Sequence, residues 1–245
     1  MKKIKFSVVL MAALVILSGC GASNATKGGL IGGGSGAAVG ALIGNLIGKN
    51  TGGTLIGAGI GAAVGTGAGV LIGKKMDKAK AAAEAVENAK VESITDKNGL
   101  EAVKVTFDSG ILFTTGSYTL SEVAKGNLSE FANNVLKVYS DCDVAIQGYT
   151  DNQGWRNSTA EQSVQKNLKL SQDRADAVKA YLLGAGATAT QIKSSTGFGQ
   201  ENPVADNATK AGQEQNRRVE IYLYASEAMI KVLTQALSSN VRHIF

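Results

Sequence analysis

Apolar and polar positions divide the chain into stretches of unlike rhythm. Val103, Val105 and Phe107 alternate with Lys104 and Thr106, the two-residue period of a strand. Val123, Ala124, Leu128, Phe131, Ala132, Val135, Leu136 and Tyr139 recur at helical spacing. Val144 and Ile146 mark a second strand, and Leu170, Ala175, Val178, Tyr181 and Leu182 a second helix. Residues 192–198 and 219–224 read as two more strands. The order strand-helix-strand-helix-strand-strand predicts an α+β domain over residues 100–225, with its helices on one face of a mixed sheet. Ala228, Met229, Val232, Leu233, Ala236 and Leu237 predict an amphipathic helix within residues 226–245, packed on the domain or on a partner.

Upstream the rhythm has a step of four. Residues 28–73 hold 18 of the chain's 31 glycines. Gly28, Gly32, Gly36, Gly40, Gly44, Gly48 and Gly52 form one ladder, and Gly53, Gly57, Gly61, Gly65, Gly69 and Gly73 a second. The register breaks just after Lys49-Asn50-Thr51, a polar turn signal. This predicts a hairpin of two helices over 28–73, each roughly 31 Å long and so close to the hydrocarbon thickness of a bilayer. In water each helical Gly costs about 1 kcal/mol relative to Ala. In lipid helix is the form that satisfies the backbone, and rows of Gly let two helices approach closely. Membrane insertion or oligomeric packing is one reading; a hairpin lying outside the bilayer is the other. Lys74, Lys75 and Lys78 close the ladder, and the Ala-, Glu- and Lys-rich run after them predicts an exposed helical linker over 74–99.

Charge and cysteine narrow the picture. The net charge is +5, but all the excess lies in Lys2, Lys3, Lys5, Lys27 and Lys49, because residues 74–245 hold 20 basic and 20 acidic residues. A nucleic-acid surface built on bulk charge is therefore excluded. Residues 1–5 carry three lysines, residues 6–17 are almost wholly apolar, and Leu17-Ser18-Gly19-Cys20 follows. That is a secretory signal over 1–19, too short to span a membrane. If Cys20 is modified, Cys142 alone remains, and no intrachain disulfide forms.

Leu17-Ser18-Gly19-Cys20 resembles the bacterial lipoprotein signal, which implies acylation of Cys20, with palmitate among its chains, at the head of a lipidated N-terminus over 20–27. The alternative is an ordinary signal peptide with an incidental Cys. Gly21, where an Asp would retain a lipoprotein in the inner membrane, leans toward the outer membrane. The glycine ladder resembles the glycine-zipper segment of envelope lipoproteins. Four further stretches resemble the OmpA-like peptidoglycan-binding domain, shared with peptidoglycan-associated lipoprotein: Gly148-Tyr149-Thr150-Asp151; Asn167-Leu168-Lys169-Leu170-Ser171-Gln172-Asp173-Arg174-Ala175; Gly197-Phe198-Gly199 to Pro203; and Asn207 to Gly212 leading into Asn216-Arg217-Arg218-Val219. The likeness covers about residues 105–225.

The resemblance implies a ligand, the diaminopimelate side chain of uncrosslinked stem peptides, whose free end carries an ammonium and a carboxylate on one carbon. Arg suits the carboxylate through its planar fork, and Asp suits the ammonium. On matching positions these are Arg174 and Asp151, with Asn167 lining the pocket. Thr150, Arg217, Arg218 and Trp155 are supporting candidates, the two arginines pointing to opposite faces of a strand. Ser171 is expected as a helix N-cap that places Arg174 in the first turns. Residues 152–166 are expected as a loop longer than the family pattern. The plain alternative is a capped loop at Asp151 and a surface ion pair at Arg174.

Catalysis is not expected. The one His, His243, lies in the tail, so no Ser-His-Asp or Cys-His set and no zinc site can be assembled in the domain. Neither a cofactor nor a metal is implied. The expected partners are peptidoglycan and membrane, with a homo-oligomer through the ladder. Two functions remain: an outer-membrane lipoprotein whose periplasmic domain binds the cell wall and preserves envelope integrity, or a glycine-zipper membrane assembly or pore that the domain merely docks.

Overall fold

The computed structural model describes residues 67–95, 99–114 and 116–242. The leader, Cys20, the ladder up to residue 66 and His243 lie outside the described residues.

In chain order the elements are α1 (Gly67–Glu84), β1 (Lys90–Thr95), β2 (Glu101–Asp108), α2 (Ser109–Leu112), α3 (Glu122–Phe131) continued by a π-helical turn (Ala132–Leu136), β3 (Cys142–Gly148), α4 (Ala160–Gly184), β4 (Ile192–Gly197), α5 (Lys210–Asn216), β5 (Arg218–Ala225) and α6 (Glu227–Arg242). The sheet order is β1-β2-β5-β3-β4. β1, β2, β5 and β3 pair antiparallel in turn, and β4 lies parallel to β3. Alternation sorts the strands into two faces. Val103, Val105, Phe107, Val144, Ile146, Val219, Ile221 and Leu223 join the helices in the main core. Ile94, Ala102, Ala145, Tyr222 and Tyr224 cluster on the opposite face. The α+β class and the mixed sheet with helices on one face hold.

Of residues 74–99, expected as an exposed linker, residues 74–95 belong to the fold. α1 runs unbroken from the last rungs of the glycine ladder, and Ala68, Ile72, Met76, Ala79 and Ala83 are buried along one stripe. It packs on β1, β2 and α6. Residues 90–95 then form the edge strand β1. α6 buries Met229 and Ile230 in the main core and lays Leu233 and Leu237 against it, which settles the expected tail helix onto its own domain. Among the described residues no helix is long and apolar enough to cross a membrane.

α4 departs most from expectation. It begins at Ala160, so the loop expected over 152–166 ends at Thr159. Its start is a capping box: the Gln162 N–H donates to Thr159 Oγ1 at 3.2 Å, and the Thr159 N–H donates to Gln162 Oε1 at 3.0 Å. Ser171 is therefore in mid-helix, not an N-cap, and Arg174 follows it deep in the helix.

Candidate ligand-binding site

Two glycines decide where α4 crosses the sheet. Gly148 and Gly197 are register partners at the ends of β3 and β4. A Cβ on Gly148 would lie 2.1 Å from the Ser171 carbonyl oxygen, and one on Gly197 would lie 2.2 Å from the Gln172 nitrogen. Only bare backbone admits the helix here. Ser171 Oγ donates to the Leu168 carbonyl at 2.7 Å and accepts the Gly199 N–H at 2.8 Å. Gln172 Oε1 accepts the Gly197 N–H at 2.8 Å, and its Nε2 donates to the Ser195 carbonyl at 3.1 Å. This stitching fixes Arg174 within one turn of the crossing. Arg174 is only 4% exposed. Its Nε–H donates to the Ser117 carbonyl at 3.0 Å and its guanidinium lies 5.1 Å from the Phe113 ring centroid, while Nη1 is buried with no hydrogen-bond partner.

Asp151 arrives from the end of β3. The Thr150 N–H donates to the Gly199 carbonyl at 2.7 Å, and Thr150 Oγ1 donates to the Asp151 carbonyl at 2.9 Å. Asp151 is 6% exposed; its carboxylate accepts the Gln153 N–H at 3.1 Å on Oδ1 and forms an ion pair through Oδ2 with Arg217 Nη1. Asn167, buried on α4, braces this loop. Its Nδ2 donates to the Gln153 carbonyl at 3.1 Å and, at 3.5 Å, to that of Asp151. Its Oδ1 accepts the Trp155 indole N–H at 2.7 Å.

Arg217 and Arg218 diverge: Arg217 is the C-cap of α5, and β5 begins only at Arg218. Arg217 turns to Asp151. Arg218 is buried in another layer, donating to Glu220 Oε1 at 2.8 Å and lying 3.8 Å from the Tyr149 ring centroid. Tyr149 in turn stacks on Phe198 and donates to Gln147 Oε1 at 2.6 Å.

Burial, then the positive charge of Arg217, push the Arg174 guanidinium down to about 10, with Asp151 opposing the shift. Arg174 is still a cation at neutral pH, held against desolvation and against a like charge. The cluster of Asp151, Arg174 and Arg217 carries one anion and two cations. An anionic group beside Arg174 supplies the missing acceptor and screens the two arginines from each other.

Asp151, Arg174, Asn167, Thr150 and Arg217 thus gather at one end of the sheet, and Trp155 adjoins through Asn167. Arg218 does not join them. Asp151 pairs with Arg217 rather than with Arg174. Phe113 and Ser117, which hold Arg174, were not expected; they come from the segment after α2 and carry no sequence signal of that role. A separate cleft of about 490 Å³, lined by Asp143, Gln191, Lys193 and Glu227 among others, opens at the opposite end of β3 and contains none of these residues.

Comparison with known proteins bears on the fold and the family. Residues 112–217 match the OmpA family, and residues 1–77 match the YMGG-like Gly-zipper family. The chain is 40% identical over 121 residues to the "Probable lipoprotein YiaD" of Escherichia coli, which covers 49% of this chain and 47% of that protein. It is 43% identical over 86 residues to the peptidoglycan-binding protein ArfA of Mycobacterium tuberculosis, covering 35% of this chain and 24% of ArfA. It therefore spans about half of the first relative and about a quarter of the second. The crystal structure of a MotB-like protein from Desulfovibrio vulgaris superposes with a TM-score of 0.51 at 23% identity, over 65% of this chain and 92% of that one, a likeness of fold. Residues 1–77 are thus similar to a YMGG-like Gly-zipper segment, and residues 112–217 to an OmpA-family domain.

Proposed function

We propose that the domain binds peptidoglycan non-covalently, through the diaminopimelate ends of uncrosslinked stem peptides, and does no catalysis. The observation that carries this reading is Arg174: a buried guanidinium with one unpartnered nitrogen, beside a carboxylate and a second cation. The ligand carboxylate answers Arg174 and the ligand ammonium answers Asp151. The OmpA-family match and the name of ArfA support the choice of ligand. With Cys20 acylated in the outer membrane and the domain in the periplasm, such binding tethers the envelope to the wall. The name of YiaD supports a lipoprotein. Sedimentation with purified sacculi tests the reading on the full chain in mild detergent. Wild type is expected to sediment, and Asp151→Asn and Arg174→Met to remain in solution. Equal sedimentation of all three refutes the site; none sedimenting refutes the ligand.

The four-residue glycine repeat favours a second role, an oligomeric membrane assembly. Crosslinking of a Gly40→Leu, Gly61→Leu variant checks it: loss of oligomers is expected, and unchanged oligomers would contradict it.

A further inference from the structure

We propose that Arg217 is the specificity-determining residue of the site, an internal stand-in for the ligand ammonium that makes the domain reject ligands lacking the adjacent carboxylate. The proposal rests on the stem-peptide reading above and deepens it. Asp151 is 6% exposed, and Arg217 already occupies its Oδ2 while Gln153 occupies Oδ1. An incoming ammonium that pairs with Oδ2 must displace Arg217. The Arg217 side chain is 34% exposed, so it has room to leave, whereas Arg174 is enclosed by Phe113 and by its bond to Ser117.

The charge count then separates ligands. A zwitterionic end brings an ammonium for Asp151 and a carboxylate for the released Arg217 and the unpartnered Nη1 of Arg174. Every charge has an opposite neighbour. A lysine-type end brings only the ammonium. It evicts Arg217, supplies no anion, and adds a third cation beside two arginines. A diaminopimelate whose carboxylate is amidated fails in the same way. Discrimination thus comes from a repulsive arrangement as much as from an attractive one.

The test is calorimetric titration of the full chain in detergent micelles with two tripeptides, Ala-γ-Glu-diaminopimelate and the same peptide ending in lysine. Wild type is expected to bind the first and discriminate against the second. In Arg217→Gln, whose amide still hydrogen-bonds Asp151, the lysine peptide should gain and the ratio of affinities should narrow by about tenfold or more, as for loss of a charge pair at an interface. An unchanged ratio overturns the role of Arg217 while leaving the stem-peptide reading in place. A wild type that binds neither peptide overturns both. A second measurement needs no variant: the Arg217 Nε–H resonance of the wild-type chain should shift as the diaminopimelate peptide saturates the site. A stationary resonance at saturation would show that Arg217 is never displaced and would sink the proposal.

Discussion

The Asp151–Arg217 ion pair and the hydrogen bond between Trp155 and Asn167 set the geometry of the site residue by residue. Asp151 and Arg174 were identifiable as a complementary pair, yet the ion pair that forms is between Asp151 and Arg217, because Arg174 is turned toward Phe113 and Ser117. A sequence names charges; it does not say which two meet. Asn167 and Trp155 are similar. The sequence suggests Asn167 as a pocket-lining residue and Trp155 as a supporting one, and their mutual hydrogen bond holds the Asp151 loop to α4. Trp155→Phe keeps the ring and removes that bond, so binding to sacculi should weaken several-fold, with a stability loss of about 1 kcal/mol measured by denaturant melting. Cys142 gives a prediction in the opposite sense, of inertness. It is fully buried, and burial followed by the charge of Asp141 pushes its thiol up to about 12. Its thiolate fraction at pH 8 is correspondingly suppressed, so iodoacetamide should leave Cys142 unmodified in the native chain and label it only in denaturant.

Elements were legible where large apolar residues recur with a regular period, even though β3 and β5 are buried on both faces. β2, β3 and β5 follow alternation, and α3 follows its helical stripe. α1 was mistaken for an exposed stalk because its buried stripe is mostly alanine, which reads as helix propensity rather than as core. β1 was missed because only Ile94 is buried on this edge strand. The first turns of α4 were read as loop because they are polar, although Thr159 and Gln162 stand at capping-box spacing and announced the start. The close approach of α4 to β3 and β4 left its trace in Gly148 and Gly197, but nothing in the sequence says which helix they admit. Gly148→Ala would press a methyl into the Ser171 backbone, where neither side is a flexible chain end. A loss of roughly 2–4 kcal/mol is expected, read from the midpoint of urea unfolding. Gly126→Ala, with open space around the position, is the control and should be neutral or stabilising.

At the scale of the molecule, the folded unit among the described residues includes the last rungs of the glycine ladder. A fragment cut at residue 100 loses Ile72, Met76, Ala79, Ala83 and Val86 from the core and strips β1 from the edge of β2. A fragment of residues 67–245 should give one cooperative melt, and a fragment of residues 100–245 should aggregate or melt far lower, with circular dichroism as the readout. On the proposed function, this domain keeps a buried, under-partnered cation because a ligand completes it. Stability and binding should then part company at Arg174. Without ligand, Arg174→Met removes a desolvated charge repelled by Arg217 and should melt no lower than wild type. With the diaminopimelate tripeptide at a hundredfold excess over Kd, wild type should gain about 2.7 kcal/mol, roughly 5–10 °C in melting temperature, and Arg174→Met should gain nothing. A variant that melts far below wild type, or one that the peptide still stabilises, would contradict the account.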